Sequence, residues 1–285
     1  MKTDLEKSLK SRIKNIAIEK NISPISLWQN LVLERFLIRI AKSKYADSFV
    51  LKGGMLLSKL IEIGRETKDL DFAVQGISNS LKEIEKVIKE IISLPINDGF
   101  VFENLKIREM PHPLMHYLGA RVNMKALFGK IRFKVVVDLG FGDFINPDEY
   151  VLPLTGNKQS SLFESVIKFN CYPIDFIFAE KLHSIVVRGQ DNSRMKDFHD
   201  LYLLINQKGK EFHEKFMLII EKVFEHRNST FVLPLKFNEK DLFELQNHWK
   251  RHLKGLKNNH TFPHEIKDVI FAISEWLEKV AISAK

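Results

Sequence analysis

The chain has 285 residues, of which 45% are hydrophobic and 28% charged, so it carries ample apolar material for a large core. Its formal net charge is +8 and its pI about 9.3, an excess of Lys and Arg that favours polyanionic partners such as nucleic acid, nucleotides or anionic lipid. The longest apolar runs are too short to span a bilayer and the N-terminus lacks a signal-peptide pattern, so we expect no membrane association. The single cysteine, Cys171, excludes an internal disulfide, and a reducing cytoplasm is the expected location.

Two helices are predicted to open the chain. Apolar residues recur at a 3.6-residue rhythm over 5–20, and Ser23 and Pro24 form the N-cap and first turn of a second helix that runs to about residue 44. Strands and helices then alternate. The predicted strands are 49–51, 69–74, 101–108, 120–123 and 130–139, and the helices between them are 55–63 and 81–94. This order indicates an α/β or α+β core.

After Pro153 the pattern is mostly helical. Five segments have the length and the periodicity of helices, namely 175–187, 194–205, 211–224, 238–253 and 265–280. No Gly-, Pro- or Ser-rich linker marks the change, so we place a soft boundary near residue 160 and expect the two parts to pack together. The predicted domains are residues 1–160, with the N-terminal helices and the mixed core, and residues 161–285, a helical domain.

A pair of carboxylates marks the most informative segment. Asp69 and Asp71 are two positions apart on a predicted strand, so both point to one face while Leu70 and Phe72 point into the core. Two carboxylates held this close repel one another unless a cation lies between them. Their hard oxygens suit Mg²⁺ or Mn²⁺, ions that also bind nucleotide phosphates. A pair of such ions, about 3.5–4 Å apart, could activate an attacking oxygen and stabilise the leaving pyrophosphate. An Asp-x-Asp sequence in a solvated loop is the simpler alternative.

Gly53 and Gly54 lie between a predicted strand and a predicted helix. Glycine lets the backbone approach phosphate oxygens closely, and the start of the following helix offers unpaired N–H groups to an anion. A Gly-Gly pair alone is usually a turn. The order of strand, Gly-Gly, helix and strand-borne Asp-x-Asp indicates a phosphate-binding turn that faces a metal site.

A third carboxylate, Asp138, comes late in an otherwise apolar predicted strand. A charge there is costly to bury without a partner, so Asp138 either reaches a metal or lies at the open end of the strand. We favour a metal ligand or a general base. Asp143, in the glycine-rich turn that follows, is more simply a turn residue.

Charged side chains recur at helical spacing in the second part. Lys181 and Arg188 share one face of a predicted helix, and Arg194, Asp197 and Asp200 form a polar stripe on the next. The cations could clamp a triphosphate, with Asp197 orienting Lys181 or Arg194. The alternative is a surface ion-pair network of little energetic value.

Two further patterns involve basic residues. Arg194 and His199 could instead form the catalytic pair of a metal-independent ribonuclease, although a separation of five does not place both on one helical face. A basic stretch nearer the C-terminus favours RNA as a partner, unless it is only a solvated helix face. Its members are Lys250, Arg251, Lys254 and Lys257.

Taken in chain order, these motifs resemble the nucleotidyltransferase AbiEii/AbiGii toxin family, within the polymerase-β-type nucleotidyltransferase superfamily. The resemblance runs from about Glu34 to Tyr202, more than half of the chain. The motifs are ERFL (34–37), FVLKGG (49–54), RxTxDxD (65–71), DxGxGD (138–143), AEKLH (179–183) and SRMKDFxDLY (193–202). The region after about residue 210 matches no motif. The superfamily usually has Gly-Ser where this chain has Gly-Gly, which removes a hydroxyl contact to phosphate.

The resemblance implies an α+β fold, with a polymerase-β-type core of mixed sheet flanked by helices, N-terminal helices and a mainly helical C-terminal domain. It also implies a nucleoside triphosphate substrate and a separate winged-helix antitoxin, and related mycobacterial toxins add nucleotides to the tRNA acceptor end. Lys181 and Asp197 match the lysine and aspartate that the family needs for activity. Arg65 matches a basic residue that precedes the carboxylates and contacts phosphate.

The sequence therefore predicts a toxin that transfers a nucleoside monophosphate to an acceptor hydroxyl, with the tRNA 3′ end as the expected acceptor. The expected metal ligands are Asp69, Asp71 and Asp138, the further catalytic residues are Lys181 and Asp197, and the nucleotide-binding residues are Gly53, Gly54, Arg65, Lys181 and Arg194. A protein or small-molecule acceptor, the metal-independent ribonuclease and a non-catalytic binding module stay open as alternatives.

Overall fold

The computed structural model describes residues 2–110, 119–142, 146–156, 161–189, 194–212, 215–256 and 262–283. The chain divides into two compact units. The core unit comprises Met1–Leu60 and Glu66–Tyr172, and the helical unit comprises Ile61–Arg65 and Pro173–Lys285. The division thus follows Tyr172, whereas the sequence pattern suggested a boundary near residue 160. In the part of the chain that is described, no helix is both long and apolar enough to cross a membrane.

Two long helices open the core unit, as predicted. Helix α1 spans Lys2–Glu19 and α2 spans Pro24–Ala41, with Ser23 at the N-cap position but without a side-chain capping hydrogen bond. The middle of α2 is buried on every side, so it carries polar side chains only where they have partners. One of these, Glu34, accepts hydrogen bonds from the backbone N–H and the hydroxyl of Thr155, each at 2.9 Å.

A buried ion cluster fixes α2 to the sheet. Asp98 is 1% exposed and accepts hydrogen bonds from Arg35 at 2.7 Å and from Arg39 at 2.8 and 3.0 Å. Arg39 also donates to the carbonyl oxygen of Phe100 at 2.9 Å. Although burial alone would raise the pKa of Asp98, the two guanidinium groups lower it below its ordinary value, so the carboxylate stays charged in the interior.

The sheet of the core unit carries the site. Its strands are β1 (Phe49–Lys52), β2 (Leu70–Val74), β3 (Phe100–Met110), β4 (Gly119–Phe128), β5 (Ile131–Phe141), β6 (Asp148–Pro153) and β7 (Val166–Cys171). Helix α3 (Gly53–Leu60) follows β1 directly, and α4 (Leu81–Ile92) follows β2. Over the described residues the strand order is β3-β4-β5-β2-β1-β7-β6, with β2 parallel to β5, β1 parallel to β7 and the other pairs antiparallel. The predicted mixed sheet with flanking helices is confirmed.

Two strands were not among the predicted elements. No element was predicted for the residues of β6, and β7 is a strand of the core sheet in the part of the chain that was predicted to be mostly helical. The residues of β7 alternate between exposed and buried, with Ile167, Phe169 and Cys171 on the buried side. This alternation is the signature of a half-buried strand, but it extends over only six residues that include Lys168 and Asn170, so the local signal is weak.

The helical unit confirms the five predicted helices. They are α5 (Ile174–Arg188), α6 (Met195–Lys208), α7 (Phe216–His226), α8 (Glu239–Lys254) and α9 (Ile266–Ser283). Helix α5 packs on α6 and α7, while α6 also contacts α8 and α9. An aromatic cluster of Phe178, Phe212, Phe216 and Trp276 joins α5, α7 and α9, with ring centroids 4.6–5.7 Å apart.

Candidate active site

The two predicted metal carboxylates lie at the start of β2. Asp71 is the second residue of that strand and Asp69 immediately precedes it. Both side chains are partly exposed, whereas Leu70 and Phe72 are 0% exposed. The predicted alternation of apolar residues inward and carboxylates outward is therefore confirmed.

Strand register assembles a row of charged residues around Asp71. Lys52 on β1 pairs with Asp71, Asp71 pairs with Asp138 on β5, Asp138 pairs with Arg121 on β4, and Arg121 pairs with Arg108 on β3. Side chains of directly paired residues point to the same face of a sheet. Residues that are far apart in the chain thus form one row, which we call the charged row; it runs from Lys52 to Arg121, and Arg108 lies beyond its end.

Asp138 has a specific partner within the charged row. Arg121 donates from Nε to Oδ1 and from a terminal nitrogen to Oδ2, both at 2.6 Å, so the pair is bidentate. The hydrogen bond to Asp138 raises the pKa of Arg121, and the charges of Asp69 and Asp71 raise it further. Asp138 is therefore beside Asp71, as a third ligand would be, but an arginine occupies both of its oxygens. The weaker candidate Asp143 lies outside the described residues.

Gly53 has a steric reason to be glycine. It adopts a φ of +70°, and a Cβ at this position would lie 2.7 Å from the carboxylate carbon Cγ of Asp71. Helix α3 begins at this residue, so the carboxylate of Asp71 lies directly against the turn that was predicted to bind phosphate. Gly54, the next residue, is partly exposed in the first turn of α3. Glycine therefore allows the turn and the carboxylate to approach closely.

The donor set of the charged row suits a small divalent cation. Carboxylate oxygens are the ligands that Mg²⁺ and Mn²⁺ prefer, and Asp69 and Asp71 offer them at the open side of the strand. Among the described residues, however, no group of three or more His, Cys, Asp or Glu side chains is arranged to hold a metal ion. The two carboxylates fit one such ion, with the remaining positions left to water or phosphate oxygen.

The helical unit contains the second group of predicted site residues, in a network that we call the buried network. Lys181 on α5 contacts Asp200 at 2.6 Å and Asp197 at 3.1 Å, both on α6. Arg194 contacts the other oxygen of Asp197 at 2.9 Å. Arg65 binds Asp200 through two hydrogen bonds of 2.8 and 2.6 Å. The expected contacts of Asp197 with Lys181 and with Arg194 are both present.

Burial distinguishes this network from a surface ion-pair array. Asp197 and Asp200 are 0% exposed, and the side chain of Lys181 is 10% exposed. Burial alone would lower the pKa of Lys181, but the charges of Asp200 and Asp197 outweigh it and hold that pKa above its ordinary value. Burial would likewise raise the pKa of Asp200, yet Lys181 and Arg65 hold it far below its ordinary range. Lys181 and Asp200 are therefore both charged at neutral pH.

Asp200 is the residue of the network that sequence reasoning undervalued. It was assigned only to a polar stripe, although it binds both Lys181 and Arg65. The available signal was its position three residues after Asp197 on the same helical face. Arg65, which was expected to contact phosphate, donates hydrogen bonds from Nε and one terminal nitrogen to this carboxylate.

The segment Ile61–Arg65 is attached to α6 at three points. Besides the pairing of Arg65 with Asp200, Gln207 exchanges hydrogen bonds of 3.0 and 3.2 Å with the backbone of Glu62. His199 Nε2 lies 2.6 Å from the carbonyl oxygen of Ile63, which can only accept, so Nε2 is the donor. In sequence, this segment lies between α3 and the carboxylates Asp69 and Asp71, and its contacts with α6 hold its backbone in place.

His199 is unsuited to the ribonuclease role. It is 0% exposed, and its second nitrogen, Nδ1, lies 3.0 Å from Nε2 of His252. Burial lowers the pKa of His199, and burial together with the neighbouring His199 lowers that of His252 to about 4, so both are neutral at pH 7. Because Arg194 is paired with Asp197, the two residues do not form an open catalytic pair on α6.

Helix α8 presents the basic stretch to solvent. Lys250, Arg251 and Lys254 are exposed, and Phe243 on the same face is 67% exposed. The opposite face buries Leu245, Trp249 and Leu253 against the rest of the helical unit. Lys257 lies outside the described residues.

The mixed sheet, the strand-borne carboxylates and the helical unit together define a nucleotidyltransferase fold. The family model described as "Nucleotidyl transferase AbiEii toxin, Type IV TA system" matches residues 35–268, and the chain belongs to this family. The family expected from the motifs is thereby confirmed, and with it nucleotidyltransferase activity and membership of a toxin–antitoxin class.

Solved structures show the same fold. JHP933 from Helicobacter pylori is 13% identical, with a TM-score of 0.55 over 92% of this chain and 94% of that one. MenT4, a nucleotidyltransferase toxin from Mycobacterium tuberculosis H37Rv, is 15% identical, with a TM-score of 0.52 over 96% of this chain and 97% of that one. At these identities the likeness concerns the fold alone. The search of curated proteins gives no match.

Proposed function

We propose that this chain transfers a nucleoside monophosphate from a nucleoside triphosphate to an acceptor hydroxyl, using a divalent cation held by Asp69 and Asp71. The observation that supports it best is the position of the Asp71 carboxylate against Gly53, at the first turn of α3. A cation ligand and a phosphate-binding turn are thus adjacent, as binding of a metal–triphosphate complex requires.

The reaction forms one bond to phosphorus and breaks another. The acceptor oxygen attacks the α-phosphorus, the bond from that phosphorus to the bridging oxygen breaks, pyrophosphate leaves, and the hydroxyl proton passes to a base or to water. Bound Mg²⁺ or Mn²⁺ supplies Lewis-acid stabilisation of the developing charge. Gly53 and Gly54 orient the polyphosphate through backbone N–H groups at the start of α3.

As the family motifs imply, we propose that Lys181 of the buried network contacts phosphate of the substrate. Contacts within the described residues use two of the three N–H donors of Lys181, which leaves one for a phosphate oxygen. Asp197 and Asp200 keep the lysine charged and fixed in position, an electrostatic role that needs no reorganisation during the reaction. Arg194 is 44% exposed and supplies a second cation.

RNA, and the tRNA 3′ end in particular, is the acceptor that we propose. The net charge of +8 and the exposed face of α8 support it, because Lys250, Arg251 and Lys254 suit phosphates and Phe243 suits a stacked base. Membership of a type IV toxin–antitoxin family implies an antitoxin partner, and we propose a winged-helix protein that acts with this chain in the cytoplasm.

Label transfer tests the proposal. The protein is incubated with small cellular RNA, Mg²⁺ and each α-labelled nucleoside triphosphate in turn, beside Asp69→Ala and the exposed control Asp268→Ala. We expect label on RNA with wild type and control and none with Asp69→Ala, which keeps its circular dichroism. A double variant, Lys250→Glu with Arg251→Glu, should label RNA more weakly and with a shallower salt dependence.

The other outcomes separate the alternatives. Label on protein, or on a small molecule with intact RNA, would move the proposal to that acceptor. Shortened RNA without label, insensitive to chelation, would favour the ribonuclease. Full label transfer by Asp69→Ala would contradict the role of the carboxylate pair.

A further inference from the structure

Arg121 is a residue of the charged row to which the proposed reaction assigns no role. Strand register places it next to Asp138, which is itself next to Asp71. The side chain of Arg121 is 32% exposed, so it is reachable from solvent although it is ion-paired. Arg108 pairs with Arg121 one strand further from Asp71, and it is exposed.

The geometry of the pair favours a permanent ion pair over a metal ligand. Both carboxylate oxygens of Asp138 accept hydrogen bonds from the guanidinium of Arg121. This bidentate arrangement is the strongest form of arginine–carboxylate contact. An arginine carries its charge at every physiological pH, so a cation already occupies the side of Asp138 that a metal would need. A divalent ion there would have to displace Arg121 or remain beside its positive charge.

The charges of the row lead to the same conclusion. Asp69, Asp71 and Asp138 are accompanied by two basic side chains, Arg121 and Lys52, the latter paired with Asp71, so the five groups sum to −1. One divalent ion raises the sum to +1, whereas two would raise it to +3 before any substrate arrives. Arg121 uses Nε and one terminal nitrogen on Asp138, so within the described contacts its other terminal nitrogen remains for an anion.

We propose that Arg121, positioned by Asp138, takes the place of a second metal ion: the site binds one divalent cation at Asp69 and Asp71, and Arg121 binds an oxygen of the substrate's polyphosphate. This inference rests on the proposed function. Asp138 is then a positioning residue that acts through Arg121, and it is neither a metal ligand nor a base.

Manganese binding by the full chain tests the inference without relying on activity. Free Mn²⁺ is measured by electron paramagnetic resonance while the substrate-free protein is titrated. We expect one bound ion in wild type and none in Asp69→Ala. Arg121→Met should bind a second ion, because it releases Asp138, and the double variant with Asp138→Asn should return to one. Arg108→Met, which removes the same charge one strand away, should bind one ion like wild type.

The results separate this inference from the proposed function. Two ions in wild type, one ion in Arg121→Met, or loss of the ion in Asp138→Asn would each overturn the inference and leave the proposed reaction standing. No Mn²⁺ bound by wild type would instead remove the metal from the proposed function, and the inference with it.

Steady-state kinetics test the contact with substrate. Arg121→Met should reduce kcat/KM for the nucleoside triphosphate by at least about tenfold, and Arg108→Met should not. Adding Asp138→Asn to Arg121→Met should reduce kcat/KM little further, because the carboxylate acts only through the guanidinium. Additive losses would contradict that positioning role.

Discussion

The charged row and the buried network are built from the same types of charged residue, but they differ in exposure to solvent. Both combine Arg and Lys with Asp, and each contains a bidentate arginine–carboxylate pair. The carboxylates of the row are partly exposed on strands, whereas Asp197 and Asp200 are 0% exposed on a helix. The row can therefore exchange a ligand with solvent, while the carboxylates of the network are already paired and fixed.

This difference predicts which site tolerates the loss of a carboxylate. Removing a charge from an exposed group of like charges relieves repulsion, but removing one partner of a buried pair leaves the other charge uncompensated. The row should respond to mutation through activity and the network through stability. The following predictions test that contrast, from the largest expected change in the free energy of unfolding to the smallest.

The largest effect is expected for Asp200→Asn. It leaves Lys181 and Arg65 buried with one carboxylate fewer, so the free energy of unfolding should fall by about 3–5 kcal/mol. The matched change in the row, Asp71→Asn, should alter it by less than about 1 kcal/mol while it removes activity. Urea unfolding of both variants measures the difference. Equal losses of stability would show that burial does not separate the two sites.

These sites also differ in how far the sequence predicts them. The alternation around Asp69 and Asp71 and the helical spacing of Arg194, Asp197 and Asp200 are local patterns, and the structure contains them both. The pairing of Arg121 with Asp138 depends on the register between β4 and β5, which no local pattern specifies.

Two other features could not be predicted from the sequence, because they too depend on contacts between residues far apart in the chain. The pairing of Arg65 with Asp200 joins residues 135 positions apart, so it follows from tertiary packing alone. The sequence pattern attributed the glycine at position 53 to phosphate binding. The structure gives a more direct reason, because the Asp71 side chain on β2 leaves no room for a Cβ at this position. The residue types of the site and the partners of Asp197 could thus be predicted, but the partners of Arg65 and Arg121 could not.

A smaller effect is expected from His183 on α5. It is 0% exposed and its Nε2 has no hydrogen-bond partner among the described residues. Burial, assisted by the charge of Arg227, lowers its pKa from 6.5 to about 4. As pH falls, the unfolded chain binds the proton first, so stability is fully present above about pH 6.5 and is lost toward pH 4.

The expected size of this loss is roughly 2 kcal/mol between pH 6.5 and pH 5. His183→Leu should therefore flatten the dependence of the free energy of unfolding on pH in that window. His226→Leu, at an exposed position on α7, serves as the control and should keep the wild-type slope. Because the pKa of His252 is also lowered to about 4, part of the pH dependence of the free energy of unfolding should remain in both variants. If His183→Leu kept the wild-type dependence of the free energy of unfolding on pH, the lowered pKa of His183 would not be its cause.

The smallest change in stability is expected for Gly53→Ala. This variant tests whether the close approach of Gly53 to Asp71 matters for activity. Gly53 and Gly76 both have a φ of +70°, so alanine at either position should cost about 1 kcal/mol of stability through backbone strain. Their surroundings differ, because a Cβ on Gly76 would meet only Ser48 Oγ at 4.0 Å, whereas on Gly53 it would collide with the Asp71 carboxylate.

The two variants should therefore match in urea unfolding and diverge in function. Gly53→Ala has to displace the Asp71 carboxylate, so Mn²⁺ binding should weaken and nucleotide transfer should fall by roughly 10²-fold, the cost of misplacing a group by about 1 Å. Gly76→Ala should retain both. If Gly53→Ala lost stability well beyond Gly76→Ala but kept Mn²⁺ binding, the close approach of Gly53 to Asp71 would serve the fold, and the functional role of the turn would have to rest on phosphate alone.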